Sequence, residues 1–319
     1  MEQIFYQETI AVMEEVQRVV IGKEDCVRKA MSAILAGGHI LIDDIPGVGK
    51  TTLAMAFSKA MALESKRIQF TPDVMPSDIL GFSMYQKQNG TFVYQPGAIM
   101  CNLFLGDEIN RTSPKTQSAL LEVMEENSVT VDGVTRNVPE PFIVIATENP
   151  AGSVGTQMLP ESQLDRFMLC MTMGYPSLED EIEIAKGKSS GASVDDMEAI
   201  ITARELLAIR EAVGDIFVHD KVYRYLCTLV KASRENPYVE LGISPRGTIA
   251  LVNMAKANAF LSQRSYVIPE DVAEIFLDVA SHRILLNAKA RAGHISAKNV
   301  LTQILEQEKM PAVNRRSRS

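Results

Sequence analysis

The stretch HILIDDIPGVGKTT, residues 39 to 52, decides how the rest of this chain is interpreted. It opens with the short apolar run 40–42, passes through a turn containing Gly47 and Gly49, and leads into the amphipathic run 53–62. Backbone amides in such a turn, together with the first turn of the following helix, form a concave surface that binds phosphate oxygens. The stretch therefore predicts a phosphate-binding loop between a buried strand and a helix.

The side chains of this loop have separate expected roles. Lys50 would reach the β- and γ-phosphates of a nucleotide, and the Thr51 hydroxyl would bind Mg²⁺. Asp44 stands where the usual pattern has its first glycine, which makes the motif less specific. The alternative is an ordinary strand-to-helix turn whose lysine is solvated. The residues of the loop predicted to bind the cofactor are Pro46, Gly47, Val48, Gly49, Lys50, Thr51 and Thr52.

Length and composition limit the possible classes of protein. The chain has 319 residues, 46% of them hydrophobic and 23% charged, as expected for a soluble globular protein with room for two domains. No apolar run approaches the about 18 residues of a membrane span, and the N-terminus does not resemble a signal peptide, so a cytoplasmic location is expected. The net charge of −8 argues against indiscriminate nucleic-acid binding. The basic tail 315–318 is interpreted as a solvated end.

The cysteines do not suggest a disulfide framework or a zinc site, because no C-x-x-C pair occurs and the four residues are far apart in the sequence. They are Cys26, Cys101, Cys170 and Cys227.

Polar residues follow two further buried strands. The apolar run 101–105 ends in Asp107 and Glu108, so Asp107 would help to hold Mg²⁺ and Glu108 would activate the attacking water. The run 142–146 ends near Asn149, whose amide could orient that water against the γ-phosphate. The alternatives are solvated loop acids at the first strand and a turn-forming asparagine before proline at the second.

Two other segments carry candidate binding residues. Val20, Ile21 and Gly22 could form the floor of an adenine pocket, or Gly22 could end the first helix, and these two interpretations are compatible. Further on, Ser244 and Pro245 are typical of a helix start, which places Arg246 in the first turn. An arginine there faces the positive end of the helix dipole, so we expect an anion such as a γ-phosphate opposite it.

The order of these elements predicts an α/β fold. Five buried strands alternate with helices over residues 1–175, and polar groups follow three of the strands, where a parallel sheet binds its ligands. Two hairpins are expected at about 81–95, with Asn-Gly at its tip, and at about 128–138. Residues 71–78 are expected to be irregular. From residue 176 to 319 the strand-like runs disappear and helical periodicity dominates, which indicates a second, helical domain.

With these motifs in place, the chain closely resembles the MoxR family of AAA+ ATPases over nearly its whole length. The resemblance rests on DIPGVGKT (44–51), FTPD (70–73), DEINRT (107–112), PKTQSAL (114–120), ATENP (146–150), LPESQLDRF (159–167) and ISPR (243–246). It implies an αβα P-loop domain with a parallel five-stranded sheet and a C-terminal all-α lid. It also implies ATP or ADP and Mg²⁺ as ligands, and assembly of identical chains into a ring, usually a hexamer.

The resemblance also implies roles for individual residues. Asn149 resembles sensor 1, Arg246 resembles sensor 2, and Arg166 resembles the arginine finger that enters a neighbouring subunit's site. Arg111 and Arg136 are the other arginines that could act at an interface, and whether Arg246 acts in its own site or in a neighbour's stays open. The two hairpins resemble the helix-2 insert and the hairpin that precedes sensor 1.

The expected activity is Mg²⁺-dependent ATP hydrolysis coupled to remodelling of another protein. The resemblance suggests a chaperone-like role, often in metal insertion or complex maturation, with a partner that has a von Willebrand factor A domain. One alternative is a nucleic-acid motor, which the acidic net charge and the mostly uncharged hairpin tips disfavour. The other is a nucleotide switch that holds a partner and hydrolyses little.

Overall fold

The computed structural model describes residues 2–88, 90–149, 158–186 and 193–312. Within these ranges the helices are α1 (Glu2–Gln17), α2 (Glu24–Leu35), α3 (Lys50–Ala60), α4 (Pro76–Leu80), α5 (Pro114–Glu126), α6 (Glu161–Leu164), α7 (Leu178–Ala185), α8 (Ala203–Gly214), α9 (Asp220–Glu235), α10 (Pro245–Leu261), α11 (Pro269–Ala280), α12 (Ala288–Ala292) and α13 (Ala297–Gln307). Single 3₁₀ turns are formed by Ile109–Arg111, Val194–Asp196 and Ser281–Arg283.

The strands are β1 (Ile40–Asp43), β2 (Ser65–Gln69), β3 (Gly81–Gln86), β4 (Thr91–Pro96), β5 (Leu103–Asp107), β6 (Ser128–Val131), β7 (Val134–Asn137), β8 (Ile143–Glu148), β9 (Leu169–Met171), β10 (Val239–Leu241) and β11 (Leu285–Leu286). Five of them form a parallel sheet in the order β2-β5-β8-β1-β9. The predicted five-stranded parallel sheet is therefore confirmed, and the carboxyl ends of β5, β8 and β1 lie side by side.

Alternate residues of each central strand pack into different hydrophobic clusters, because strand side chains alternate between the two faces. Ile40 and Ile42 of β1 contribute to one cluster with residues of α1, α2 and α3. Leu41 contributes to the other cluster, which includes Leu120 and Leu121 of α5. The central strands β1, β5 and β8 are thus buried between two helical layers, as their near-continuous apolar sequences predict, whereas the edge strand β2 is polar and partly exposed.

The C-terminal helices share the first of these clusters, which runs from the sheet into α8, α9, α10, α11 and α13. Polar contacts join the same parts: Arg28 of α2 donates to the Asn258 side chain (3.0 Å), and Arg210 of α8 donates to the Ile34 carbonyl (2.8 Å). The boundary near residue 175 stays a prediction from composition and from the family resemblance. Among the described residues, no helix is both long and apolar enough to cross a membrane.

The structure corrects three expectations about local elements. The helical region also contains the antiparallel ribbon β10–β11, whose strands are too short to produce a recognisable period. Helix α3 begins at Lys50, three residues before the apolar periodicity becomes visible. The segment 71–78, expected to be irregular, contains the start of α4 at Pro76, because proline is well tolerated in the first turn of a helix.

Both predicted hairpins are present, with β3 paired to β4 and β6 paired to β7. Three sequence predictions concern positions outside the described residues: the hairpin tip at Asn89, the Pro150 that ends one motif, and the basic tail 315–318.

Candidate nucleotide-binding site

The loop between β1 and α3 has the backbone of a phosphate-binding turn. Gly47 and Gly49 have φ values of 87° and 95°, a left-handed region that glycine adopts without the cost borne by other residues. Gly49 is also the N-cap of α3, so the first helical amides, those of Lys50, Thr51 and Thr52, lie directly after the turn. First-turn amides have no partner within their own helix, which makes them available to an anion.

Lys50 is buried between the ends of β1 and β8. Its Nζ donates to the carbonyl oxygens of Asp44 (2.5 Å) and Glu148 (3.2 Å). Burial lowers the pKa of Lys50, an effect that nearby carboxylates, Asp44 first among them, oppose. Glu148 has its own pKa raised to about 7, mainly by burial and then by Asp43 on the neighbouring strand. The ammonium group therefore lies in a low-dielectric position at the base of the loop.

Asp44, which replaces the usual glycine, anchors the segment that follows β9. Its Oδ2 accepts from the amides of Met173 and Gly174, both at 2.6 Å, and its Oδ1 accepts from the Ile45 amide at 2.7 Å. Lys23 binds the same segment, donating to the carbonyls of Met173 (2.8 Å) and Gly174 (3.0 Å). This departure from the usual motif thus attaches the phosphate-binding loop to the chain leading into the helical region.

The segment predicted to contact adenine lies near this junction. Val20 is buried in the core, and Gly22 has a φ of 67°. A Cβ on Gly22 would lie 2.1 Å from Oδ2 of Asp180, so this backbone packs directly against the beginning of α7. Helix α1 ends at Gln17, so Gly22 does not terminate it as the alternative proposed. The role of Val20, Ile21 and Gly22 in adenine binding stays a prediction.

Asp107 lies at the end of β5 with both carboxylate oxygens engaged. Its Oδ2 accepts from Nε of Arg67 (2.7 Å) and from Oγ1 of Thr51 (3.4 Å), and its Oδ1 accepts from Oγ1 of Thr147 (3.3 Å). The structure therefore brings the two residues predicted to bind Mg²⁺ into contact.

The donor set at this point suits Mg²⁺. A hydroxyl and a carboxylate are oxygen ligands, and Mg²⁺ in nucleotide sites uses one or two protein oxygens together with phosphate oxygens and water. No group of three or more His, Cys, Asp or Glu that could form an all-protein metal site occurs in the described part of the chain. Thr51 and Asp107 thus fit a magnesium ion that arrives with a nucleotide.

Glu108 follows Asp107 and is held by two side chains. Asn149 Nδ2 donates to its Oε1 (2.9 Å), and Arg111 donates to its Oε2 (2.8 Å). The hydrogen bond from Arg111 is the main reason that the pKa of Glu108 is lowered. Its φ of 58° is left-handed, and Thr147 Oγ1 accepts from its amide at 2.9 Å. Such a conformation in a non-glycine residue costs energy and is common at functional sites.

Arg166 and Arg246 converge on a different carboxylate. Arg166 Nε lies 2.9 Å from Oε2 of Glu125, near the end of α5, and Arg246 forms an ion pair with Oε1 of the same side chain. The anion opposite the first turn of α10 is therefore Glu125 within one chain. Among the described residues, neither arginine has a hydrogen bond or ion pair with the loop at Lys50 or with Glu108.

The helical region helps to place this arginine pair. Ser244 is the N-cap of α10, as predicted, and accepts from the Gly247 amide at 3.0 Å. The same hydroxyl donates to Oδ2 of Asp165 (2.8 Å), and Arg283 Nε donates to Oδ1 of Asp165 (3.0 Å). Burial lowers the pKa of Arg283 to about 10. The residue before Arg166 is therefore attached to the start of the helix that carries Arg246.

The other two interface candidates have partners within the chain. Arg111 pairs with Glu108, as described above. The guanidinium of Arg136 lies 4.1 Å from the ring centroid of Tyr94 and so joins the two hairpins. Neither contact tests whether these arginines act between subunits.

Sequence reasoning missed four residues that complete these arrangements: Arg67, Asn110, Thr147 and Glu125. Asn110 Nδ2 donates to the Asn149 carbonyl at 3.0 Å and so ties the two strand ends together. Thr147 could have been noticed as a hydroxyl at the end of a buried strand. Glu125 is one of three acids in five residues of α5, and nothing local distinguishes it from the others.

Comparisons with known proteins agree with this geometry. Residues 39–169 match the family model described as "ATPase family associated with various cellular activities (AAA)", and residues 231–304 match the AAA lid domain. The protein YeaC of Bacillus subtilis is 43% identical over 299 residues, covering 94% of this chain and 93% of that protein. Chaperone MoxR1 of Mycobacterium tuberculosis is 37% identical over 309 residues, covering 94% of this chain and 81% of that protein.

The fold is also shared with a solved structure. The crystal structure of a candidate ATPase from Cytophaga hutchinsonii superposes with a TM-score of 0.90 at 35% identity, covering 98% of this chain and 97% of that one.

Proposed function

The chain belongs to the MoxR family of AAA+ ATPases, and from this premise we propose that it hydrolyses ATP to ADP and phosphate in a Mg²⁺-dependent reaction. The observation that carries the proposal is the contact between Asn149 and Glu108 beside the Thr51–Asp107 pair. These four side chains come from α3 and from the ends of two neighbouring strands, at the sheet edge where α/β proteins bind ligands.

Each group has a defined task in this proposal. The loop amides and Lys50 bind the phosphates, and Thr51 and Asp107 would hold Mg²⁺, which neutralises charge on the transferred phosphoryl group. Glu108 accepts the proton of the attacking water, and Asn149 orients that water. Arg111 holds the Glu108 carboxylate in place through its hydrogen bond to Oε2, the main cause of the lowered pKa of Glu108.

We place Arg166 and Arg246 in the site of a neighbouring copy. This is supported by their joint position on Glu125, with no direct contact to the phosphate-binding loop of their own chain among the described residues. An arginine that stabilises phosphoryl transfer from a neighbouring subunit contributes about 10³–10⁵ in rate, or about 4–7 kcal/mol. Hydrolysis would therefore depend on assembly. We propose that identical chains assemble into a ring of six.

The ring would work on another protein in the cytoplasm. A relative named as a chaperone supports a chaperone-like role, and we propose maturation or metal insertion in a partner that has a von Willebrand factor A domain. The hairpin β3–β4 supports a protein partner, since Phe82, Met84 and Phe92 are 51%, 46% and 73% exposed. Exposed apolar side chains grouped on one element are typical of interaction surfaces.

Substitution of the proposed base tests the ATPase directly. Glu108→Gln keeps the shape and the bond to Asn149 but removes proton acceptance, so turnover should fall by about 10²–10⁴-fold while ATP still binds. Phosphate release and binding of a fluorescent ATP analogue measure the two effects. Glu126→Gln, on the surface of α5, is the matched control and should retain both. Normal turnover in Glu108→Gln would remove Glu108 from the role of base.

A further inference from the structure

Arg67 contacts the carboxylate that is proposed to help hold Mg²⁺. Its Nε lies 2.7 Å from Oδ2 of Asp107, and the Arg67 side chain is 50% exposed while that of Asp107 is 7% exposed. Arginine stays charged at every physiological pH. A permanent cation therefore lies at the edge of the proposed magnesium position.

Strand register explains how Arg67 reaches Asp107. β2 and β5 are parallel neighbours in which Arg67 is aligned with Leu105 and Gln69 with Asp107. Residues 105 and 107 of one strand point to the same face, so Arg67 lies on the diagonal to Asp107. A diagonal pair is within reach of a long side chain. The register between β2 and β5 therefore places the Arg67 side chain within reach of the Asp107 carboxylate.

The oxygen that Arg67 binds is the one nearest Thr51. Oδ2 of Asp107 accepts from both Arg67 and Thr51 Oγ1, whereas Oδ1 accepts from Thr147. A cation held between Thr51 and Asp107 would therefore have to share this oxygen with the guanidinium. The two positive groups attract the same carboxylate and repel each other.

Loss of the guanidinium would leave Asp107 oriented. Thr51 and Thr147 still donate to its two oxygens, one to each. Removal of Arg67 should therefore act mainly through charge, by taking away a competing cation, and not through a disordered carboxylate.

We propose that Arg67 competes with Mg²⁺ for Asp107 and so raises the magnesium concentration needed to fill the nucleotide site. The inference rests on the proposed nucleotide site. Nucleotide phosphates would bring negative charge that offsets Arg67, so the competition for Asp107 should be strongest when no nucleotide is bound.

The test compares Arg67→Gln with two controls by magnesium titration. Binding of fluorescent ADP is measured in EDTA and over a series of Mg²⁺ concentrations, and Mn²⁺ binding in the presence of ADP is followed by electron paramagnetic resonance. Arg67→Gln should lower the half-saturating concentration of either metal by about three- to fivefold, as expected for one partly exposed ion pair. Arg67→Lys, which keeps the charge, should shift it less.

Lys66→Gln is the matched control, because the adjacent Lys66 donates to the Met100 carbonyl (3.1 Å) and should leave the metal requirement unchanged. An unchanged or higher metal requirement in Arg67→Gln, with ADP still bound in EDTA, would overturn this inference alone. Failure of the wild-type chain to bind nucleotide under any of these conditions would overturn the proposed function as well.

Discussion

Two clusters of functional side chains differ in how complete they are within one chain. At the phosphate-binding loop, Lys50 is only 8% exposed, and Asp107 and Glu108 are held by hydrogen bonds from the end of the neighbouring strand β8. At the end of α5, Arg246 is 43% exposed at its side chain and shares Glu125 with Arg166. The first cluster contains the groups that we propose to bind phosphate and to accept a proton. The second contains positive charge without a phosphate-binding loop.

From this difference we propose a division of the reaction between copies of the chain. Binding needs buried, pre-organised donors, which one chain provides on rigid strand ends and a helix start. The arginines that would stabilise the transition state are partly exposed, 28% for the Arg166 side chain and 43% for that of Arg246, so another molecule can reach them. We infer that the chain carries one half of each of two sites.

Loss of Arg166 should have the largest effect, because it should abolish the contribution of the second cluster to hydrolysis while ATP binding by the first cluster is kept. Arg166→Ala should bind ATP normally, because the loop at Lys50 is unchanged, yet hydrolyse it about 10³–10⁵-fold more slowly. Nucleotide titration and steady-state phosphate release, both at high protein concentration, measure this split. A parallel loss of ATP affinity would mean that Arg166 serves its own site.

A smaller effect should come from the carboxylate that holds the arginine pair. Among the described residues, Glu125 is the side-chain anion that contacts Arg166 and Arg246, so Glu125→Gln should leave both less ordered. We expect kcat to fall by about three- to tenfold with KM unchanged, because a residue that orients functional side chains affects the rate through their position and not through substrate binding. Glu122→Gln, one turn earlier on α5, should have no effect. A fall in turnover caused only by a higher KM would contradict this positioning role.

The sequence predicted the first cluster better than the second for a physical reason. Glycines, apolar strands and the polar residues after them are local signals, so the sequence alone predicts that the phosphate-binding loop, Asp107, Glu108 and Asn149 lie at one sheet edge. The sheet order then brought Asn149 against Glu108. The helix-dipole argument at Arg246 also predicted an anion opposite it.

What the sequence could not predict depends on contacts between distant segments. The anion opposite Arg246 is the side chain of Glu125, which precedes Arg246 by 121 residues in the sequence. Arg67 reaches Asp107 only because β2 pairs with β5 in one particular register. In the sequence, Asp44 only made the phosphate-loop motif less specific, whereas in the structure its carboxylate accepts hydrogen bonds from the amides of residues 173 and 174.

The measurement that tests this division most directly is ATP hydrolysis by mixed assemblies. We expect Arg166→Ala and Lys50→Ala chains to be inactive for different reasons, since the first would lack the donated arginine and the second would lack phosphate binding. When the two are combined at ratios from 1:9 to 9:1, we predict that activity reappears and is highest near equal amounts, because an intact loop can then meet an intact arginine. No recovery at any ratio, with mixed assemblies confirmed by native mass spectrometry, would contradict the account.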